Sequence, residues 1–169
     1  MKKLLLICFL LSFASLSFAQ EYKYHPIFIY NFSKYIEWPP DNASKDFVIS
    51  VVGNNTAYRE MLGIMEKKKT IKNRNLVVKK CANLTEVEQS DVVFVTKYEK
   101  VEENELTAML HNKGTLLITE HDNMAANGSH INFIITDDSK IGFELNSGSA
   151  ESAGLKVSSS LAGLAKKTY

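Results

Sequence analysis

Four neighbouring side chains have the makeup of a reactive site. Glu120, His121 and Asp122 are consecutive, and His130 lies just downstream. Carboxylates and imidazoles at close range can bind zinc or relay protons. Their spacing matches no His-Glu-x-x-His pattern, and no nucleophile stands beside them. Polar residues at a strand end are therefore the plainer expectation. No catalytic residue, no metal and no cofactor is expected. The serines Ser152, Ser158, Ser159 and Ser160 fall outside any Gly-x-Ser-x-Gly elbow.

A second candidate is Gly53-Asn54-Asn55, which ends an apolar run and precedes a helical pattern. Open α/β sheets seat ligands at such points. The loop offers backbone N–H groups and amides to an anion or small ligand. It lacks the repeated glycines that let a pyrophosphate approach the backbone. A third candidate is Tyr35, Trp38 and Pro39, aromatics beside a rigid Pro39-Pro40 turn. They could anchor a protein partner or plug one end of the core.

The elements that carry these residues alternate in type. Tyr22 to Trp38 predicts a helix, with Ile27, Phe28, Phe32, Tyr35 and Ile36 on one face and Pro39-Pro40 as its stop. Asp41 to Asp46 reads as a loop. Phe47–Val52 reads as a doubly buried strand, and residues 56–67 as a helix with Thr56 near its cap. Strands follow at Leu76–Lys80, Val92–Val95, Thr115–Thr119, Ile131–Ile135 and Ile141–Leu145. A helical turn at Leu84–Gln89 and a helix at Glu102–Leu110 intervene, the latter closed by Gly114. Ala150 to Lys166 predicts a closing helix with Ala150, Ala153, Val157, Leu161 and Leu164 as its stripe. The order predicts an α/β fold: a three-layer sandwich with a mainly parallel β-sheet of about five to six strands and helices on both faces. The last two strands could form an antiparallel hairpin at one edge.

The first nineteen residues read differently. Lys2 and Lys3 precede an apolar stretch from Leu4, and Ser17 and Ala19 are small residues placed as at a cleavage site. That is the layout of a secretory signal peptide, too short in its apolar part to span a bilayer. Residues 1–19 are thus expected to be removed, leaving 20–169 as a single domain. Losing two lysines takes the formal net charge from +1 to −1. No field attracts nucleic acid, and no further apolar run spans a membrane. Lys67, Lys68 and Lys69, with Lys72 and Arg74 behind them, read as a solvated helix end. Cys81 becomes the lone cysteine, either buried and inert or paired between chains.

Several segments in order resemble one family. Tyr30-Asn31-Phe32-Ser33-Lys34-Tyr35-Ile36-Glu37-Trp38-Pro39 is similar to the opening of the YfiR-like periplasmic proteins. Gly128 to Phe133, Gly142-Phe143-Glu144-Leu145-Asn146 and Leu155 to Ala165 resemble later segments of the same family. The resemblance implies a non-enzymatic periplasmic regulator. Such a protein would form a homodimer and repress the periplasmic sensor region of an inner-membrane signalling protein, with a diguanylate cyclase as the leading expectation. An outer-membrane lipoprotein could sequester it. The family's redox-sensitive intrachain disulfides do not carry over to a domain with Cys81 alone. The alternative expectation is a periplasmic small-ligand binding domain without catalysis, centred on Gly53–Asn55.

Cleavage is directly measurable. The protein recovered from the exported fraction is expected to begin at Gln20 by N-terminal sequencing, and a start at Met1 would refute the signal-peptide reading.

Overall fold

The continuous apolar runs fold as buried strands. The computed structural model describes residues 22–40, 46–97, 99 and 114–169. The first helix, α1 (His25–Tyr35), carries Pro26 in its first turn, where a missing N–H costs nothing. Its buried face is His25, Pro26, Ile29, Phe32 and Ser33. The expected face was rotated from this one, because Ile27 and Tyr35 are exposed. The helix also stops before Pro39-Pro40: Ile36 is already extended, and Ile36–Glu37 form β1.

The centre of the sheet is β2 (Asp46–Val52). It pairs in parallel with β4 (Arg74–Cys81) on one side and β5 (Val92–Val95) on the other. Between β2 and β4 run α2 (Asn55–Lys68) and the two-residue β3 (Thr70–Ile71). Asn54, not Thr56, caps α2: its Oδ1 accepts the N–H groups of Thr56 at 2.7 Å and Ala57 at 3.2 Å. The Leu84–Glu86 turn is a single 3-10 turn. Next come β6 (Leu116–Thr119), β7 (Ile131–Ile135) and β8 (Ile141–Leu145). The helix expected over Glu102–Leu110 and most of the loop expected before Asp46 lie outside the described residues.

The C-terminal segment overturns the expected long helix. It divides into α3 (Ser147–Ser152), β9 (Lys156–Val157), α4 (Ser159–Ala162) and β10 (Lys167–Thr168). Gly154 sits at φ +79°, which ends α3, and Ser158 caps a new start by accepting the Leu161 N–H at 3.2 Å. β9 pairs antiparallel with β1, joining the two ends of the chain.

The main sheet therefore has eight strands in the order β10-β8-β7-β6-β5-β2-β4-β3. It is a curved half-barrel, mostly parallel, rather than a sandwich on five or six strands. Sequence periodicity overlooks β3 and β10 because two residues carry no pattern. The β7–β8 hairpin is antiparallel, yet β10 pairs outside β8, so the hairpin is not the edge. On one face Ile29, Phe32, Ala57 and Met61 from the helices pack with Ile49, Val51, Phe94 and Ile118 from the strands. On the other, Val52, Val93, Val95 and Leu117 meet Leu84, Val87 and Met124. Among the described residues that second face is covered by turns, not by a helix layer.

A buried ion pair holds the strand starts together. Arg74 Nη1 and Nη2 donate to Asp91 Oδ1 and Oδ2 at 2.7 and 2.8 Å, and Nη2 also reaches the Asp46 carbonyl. Asp91 Oδ2 accepts the Val48 N–H at 2.9 Å, and its backbone bonds both Val48 and Leu116. The Trp38 indole N–H donates to the Asp91 carbonyl at 3.3 Å. Asp91→Ala removes the bidentate partner of a largely shielded guanidinium and orphans a strand N–H. The expected loss is about 3 kcal/mol, read from urea unfolding, with Arg74→Met in the same chain recovering part of it.

Candidate functional site

In a parallel sheet the reversal of strand order marks the crevice where ligands usually sit. Here β4 lies on one side of β2 and β5 on the other, so the reversal falls at Gly53 and Thr96. That crevice is filled by the chain itself. Gly53 has φ +95°, and a Cβ there would stand 2.8 Å from Thr96 Oγ1 and 3.1 Å from Glu99 Cβ. Thr96 Oγ1 donates to the Val52 carbonyl and accepts the Asn54 N–H, both at 3.1 Å. The Asn54 side chain is spent on the α2 cap. Asn55 is the exposed first residue of α2.

A cavity opens one step along the sheet, past the ends of β6 and β7. It encloses about 750 Å³, and His25, Lys97, Glu120, His121, Asp122 and Asn132 are among its walls. Glu120 follows the last residue of β6 and takes three donors. Tyr22 Oη donates to Oε1 at 2.5 Å, the Lys97 backbone N–H to Oε1 at 2.6 Å, and His25 Nε2 lies 3.2 Å from Oε2. The His25 ring is set by aromatics: Phe133 meets it edge-on at 4.6 Å, and Phe94 stacks at 5.7 Å. A carboxylate at the end of β6 thus clamps the N-terminal segment across the sheet.

Glu120, His121 and Asp122 share this cavity, and His130 does not. His121 Nε2 lies 3.0 Å from the Thr96 carbonyl, and its N–H donates to Asn132 Oδ1 at 3.2 Å. Asp122 is exposed. His130 is fully buried, and its Nδ1 accepts the Leu117 N–H at 3.0 Å, which leaves its proton on Nε2. Among the described residues no group of three or more His, Cys, Asp or Glu side chains could hold a metal ion. The serines have local duties: Ser152 Oγ donates to the Gly148 carbonyl, and Ser158 is the α4 cap. Tyr22 and His25 went unnoticed in the sequence. Tyr22 is 98 residues from Glu120, and no local spacing links them.

Tyr35, Trp38 and Pro39 stand at the opposite end of the parallel strands. Tyr35 is 44% exposed, whereas Trp38 is half-buried with its ring edge-on to Phe47 at 5.1 Å. Trp38, Pro39 and Pro40 border a groove of about 420 Å³ with Phe47, Lys72 and Arg74. Lys67 and Lys68 occupy the last turn of α2, and Lys68 and Lys34 both sit over the Tyr30 ring. Cys81 is a buried free thiol whose pKa burial pushes up. Burial leaves it unsuited to pairing between chains.

A family model described as DUF4154, YfiR/HmsC-like, matches residues 22–166. No curated protein matches. Among solved structures the chain is similar to a conserved domain protein from Vibrio cholerae, at 12% identity and a TM-score of 0.50. The likeness covers 88% of this chain and 60% of that one, and at such identity it is a likeness of fold.

The buried imidazole predicts a pH dependence. Burial lowers the His130 pKa from 6.5 to about 4 in the folded state. The unfolded chain therefore binds the extra proton first, and stability falls as pH drops through that window. Acidification from neutral pH to the folded pKa is expected to remove about 3 kcal/mol from this residue. Urea midpoints across the range check it, and His130→Asn should flatten the curve by that amount.

Proposed function

The chain belongs to the YfiR/HmsC-like family, and on that footing we propose that it is an exported, non-enzymatic regulator. It binds the periplasmic sensor region of an inner-membrane signalling protein and holds it inactive. A diguanylate cyclase is the favoured partner, and an outer-membrane lipoprotein is a candidate to sequester the regulator. The family match over residues 22–166, nearly all of the described domain, is the observation that carries this reading.

The disposition of polar groups supports action through a surface. Glu120 is engaged by Tyr22, Lys97 and His25, His121 lies against a carbonyl, and Asn54 caps a helix. These groups hold segments in place. The Tyr35–Trp38–Pro39 surface, by contrast, offers an exposed phenol and half-buried rings beside a rigid turn. Aromatic anchors of this kind carry binding energy at protein interfaces. Repression then needs only preferential binding to the sensor's inactive state. A complete switch of a two-state sensor takes about 5.5 kcal/mol of such preference.

Coexpression with the membrane protein encoded beside this one, followed by affinity capture, is the test. The sensor domain is expected to copurify, and deletion of the regulator to raise cyclic di-GMP. Tyr35→Ala, an exposed change, is expected to weaken capture about tenfold. Absence of capture together with unchanged cyclic di-GMP would refute the proposal.

A further inference from the structure

We infer that the partner segment that docks on the Tyr35–Trp38–Pro39 face is an acidic stretch of polypeptide with one apolar side chain. The inference rests on the regulator reading for the place of the interface and supplies the chemistry of what binds there. The carboxylates of the segment meet Lys34, Lys68 and Lys72, and its apolar group enters the groove beside Trp38.

The first argument is unmatched charge. Lys34, Lys67, Lys68, Lys69 and Lys72 are all exposed. Among the described residues none of the five has a carboxylate at ion-pair distance, whereas Lys79 pairs with Glu88 and Lys140 with Asp138. The helix dipole favours Lys34, Lys67 and Lys68 at two helix ends. It does not account for their convergence. Nζ of Lys34, on α1, and Nζ of Lys68, on α2, lie 4.7 and 5.3 Å from the centre of one Tyr30 ring. The two ammoniums thus stand within about 10 Å of each other, a Debye length at 0.1 M salt. The ring attracts both and neutralises neither. A carboxylate brought to this point is drawn by both.

The second argument is the turn between β3 and β4. Its two central residues, Lys72 and Asn73, have φ +51° and +61°. Asparagine tolerates this left-handed region far better than lysine does. The strained position holds an ammonium where the basic patch meets the groove. Lys72 Nζ donates to the Lys34 carbonyl at 3.1 Å, and Lys72 lines the groove with Trp38, Pro39 and Phe47. Patch and groove are one continuous surface. Arg74, the other cation of the groove, is spent on Asp91. The neighbouring carboxylates are Glu37, Asp46 and Glu66. Glu37 faces Lys156 across the β1–β9 ladder, and Asp46 Oδ1 accepts from Asn75 Nδ2 at 3.1 Å. The balance stays positive, which selects an anionic partner. The concave shape selects polypeptide over lipid: a projecting side chain fits a space of about 420 Å³, and a flat bilayer surface does not enter it.

A short peptide of glutamate and serine with one central leucine is the probe, beside its glutamine and lysine counterparts. Each is titrated into the isotope-labelled chain and followed by NMR. The acidic peptide is expected to bind about tenfold more tightly than the glutamine peptide, and the lysine peptide more weakly than either. Binding should move the Lys34 and Lys72 signals and the Trp38 indole N–H, and its advantage should shrink as salt rises. Lys72→Asn suits the turn, so it should weaken the acidic peptide without lowering the urea midpoint. Lys34→Gln with Lys68→Gln should remove the remaining advantage. Equal binding of the acidic and glutamine peptides overturns the inference, as do shifts confined to another face. Tighter binding to phosphatidylglycerol vesicles, lost in the same variants, assigns the patch to lipid and also overturns it. Sensor-domain capture separates the two readings. Undiminished capture by the chain with all three substitutions overturns this inference and leaves the regulator reading standing. No capture by the native chain counts against the regulator reading, and the peptide titration still decides the chemistry of this face.

Discussion

The fold depends on the bidentate contact between Arg74 and Asp91. Arg74 opens β4 and Asp91 immediately precedes β5, so the pair spans β2, which lies between them. The same carboxylate takes the Val48 N–H, and the same residue's backbone bonds β2 and the start of β6. Four strand starts are thereby brought into register around one residue. The guanidinium lies 5.1 Å over the Phe47 ring, so the charge sits against the apolar layer it organises. Such a pair gains little over a well-packed apolar alternative, but breaking it from one side is costly. Its role is to specify which strand stands where.

The far ends of the strands use a second polar clamp of different character. Glu120 gathers a phenol, a backbone N–H and an imidazole, two of them from the segment that enters α1. Aromatic contacts from Phe94 and Phe133 hold the imidazole ring in place. One end of the sheet is thus locked by a residue before β5, the other by a residue after β6. The groove beside Trp38 and the cavity beside His25 lie at these two ends.

Much of this was legible from residue types. Phe47–Val52 and Val92–Val95 could only be buried strands, because uninterrupted apolar runs bounded by polar residues need two covered faces. What escaped had physical causes. The stripe Ala150, Ala153, Val157, Leu161 and Leu164 looks helical, but Gly154 in the left-handed region and the Ser158 cap cut it in two. Leu164 ends up exposed as a result. Asn54 outcompetes Thr56 as the α2 cap because its amide reaches two N–H groups at once. Glu120 could be singled out as a reactive type, whereas Tyr22 and His25 could not. Their pairing is a product of tertiary folding alone.

The antiparallel pairing of β1 with β9 has a bearing on when the domain can form. Ile36 faces Val157 and Glu37 faces Lys156, so a strand near the start waits for one near the finish. Tyr22 likewise waits for Glu120. Contacts so distant along the chain form late, after the entropy of closing long loops has been met. A partly synthesised polypeptide lacks the partners that would complete its core. Delayed closure of this kind would suit a chain threaded unfolded through a translocon, the route that the proposed export implies.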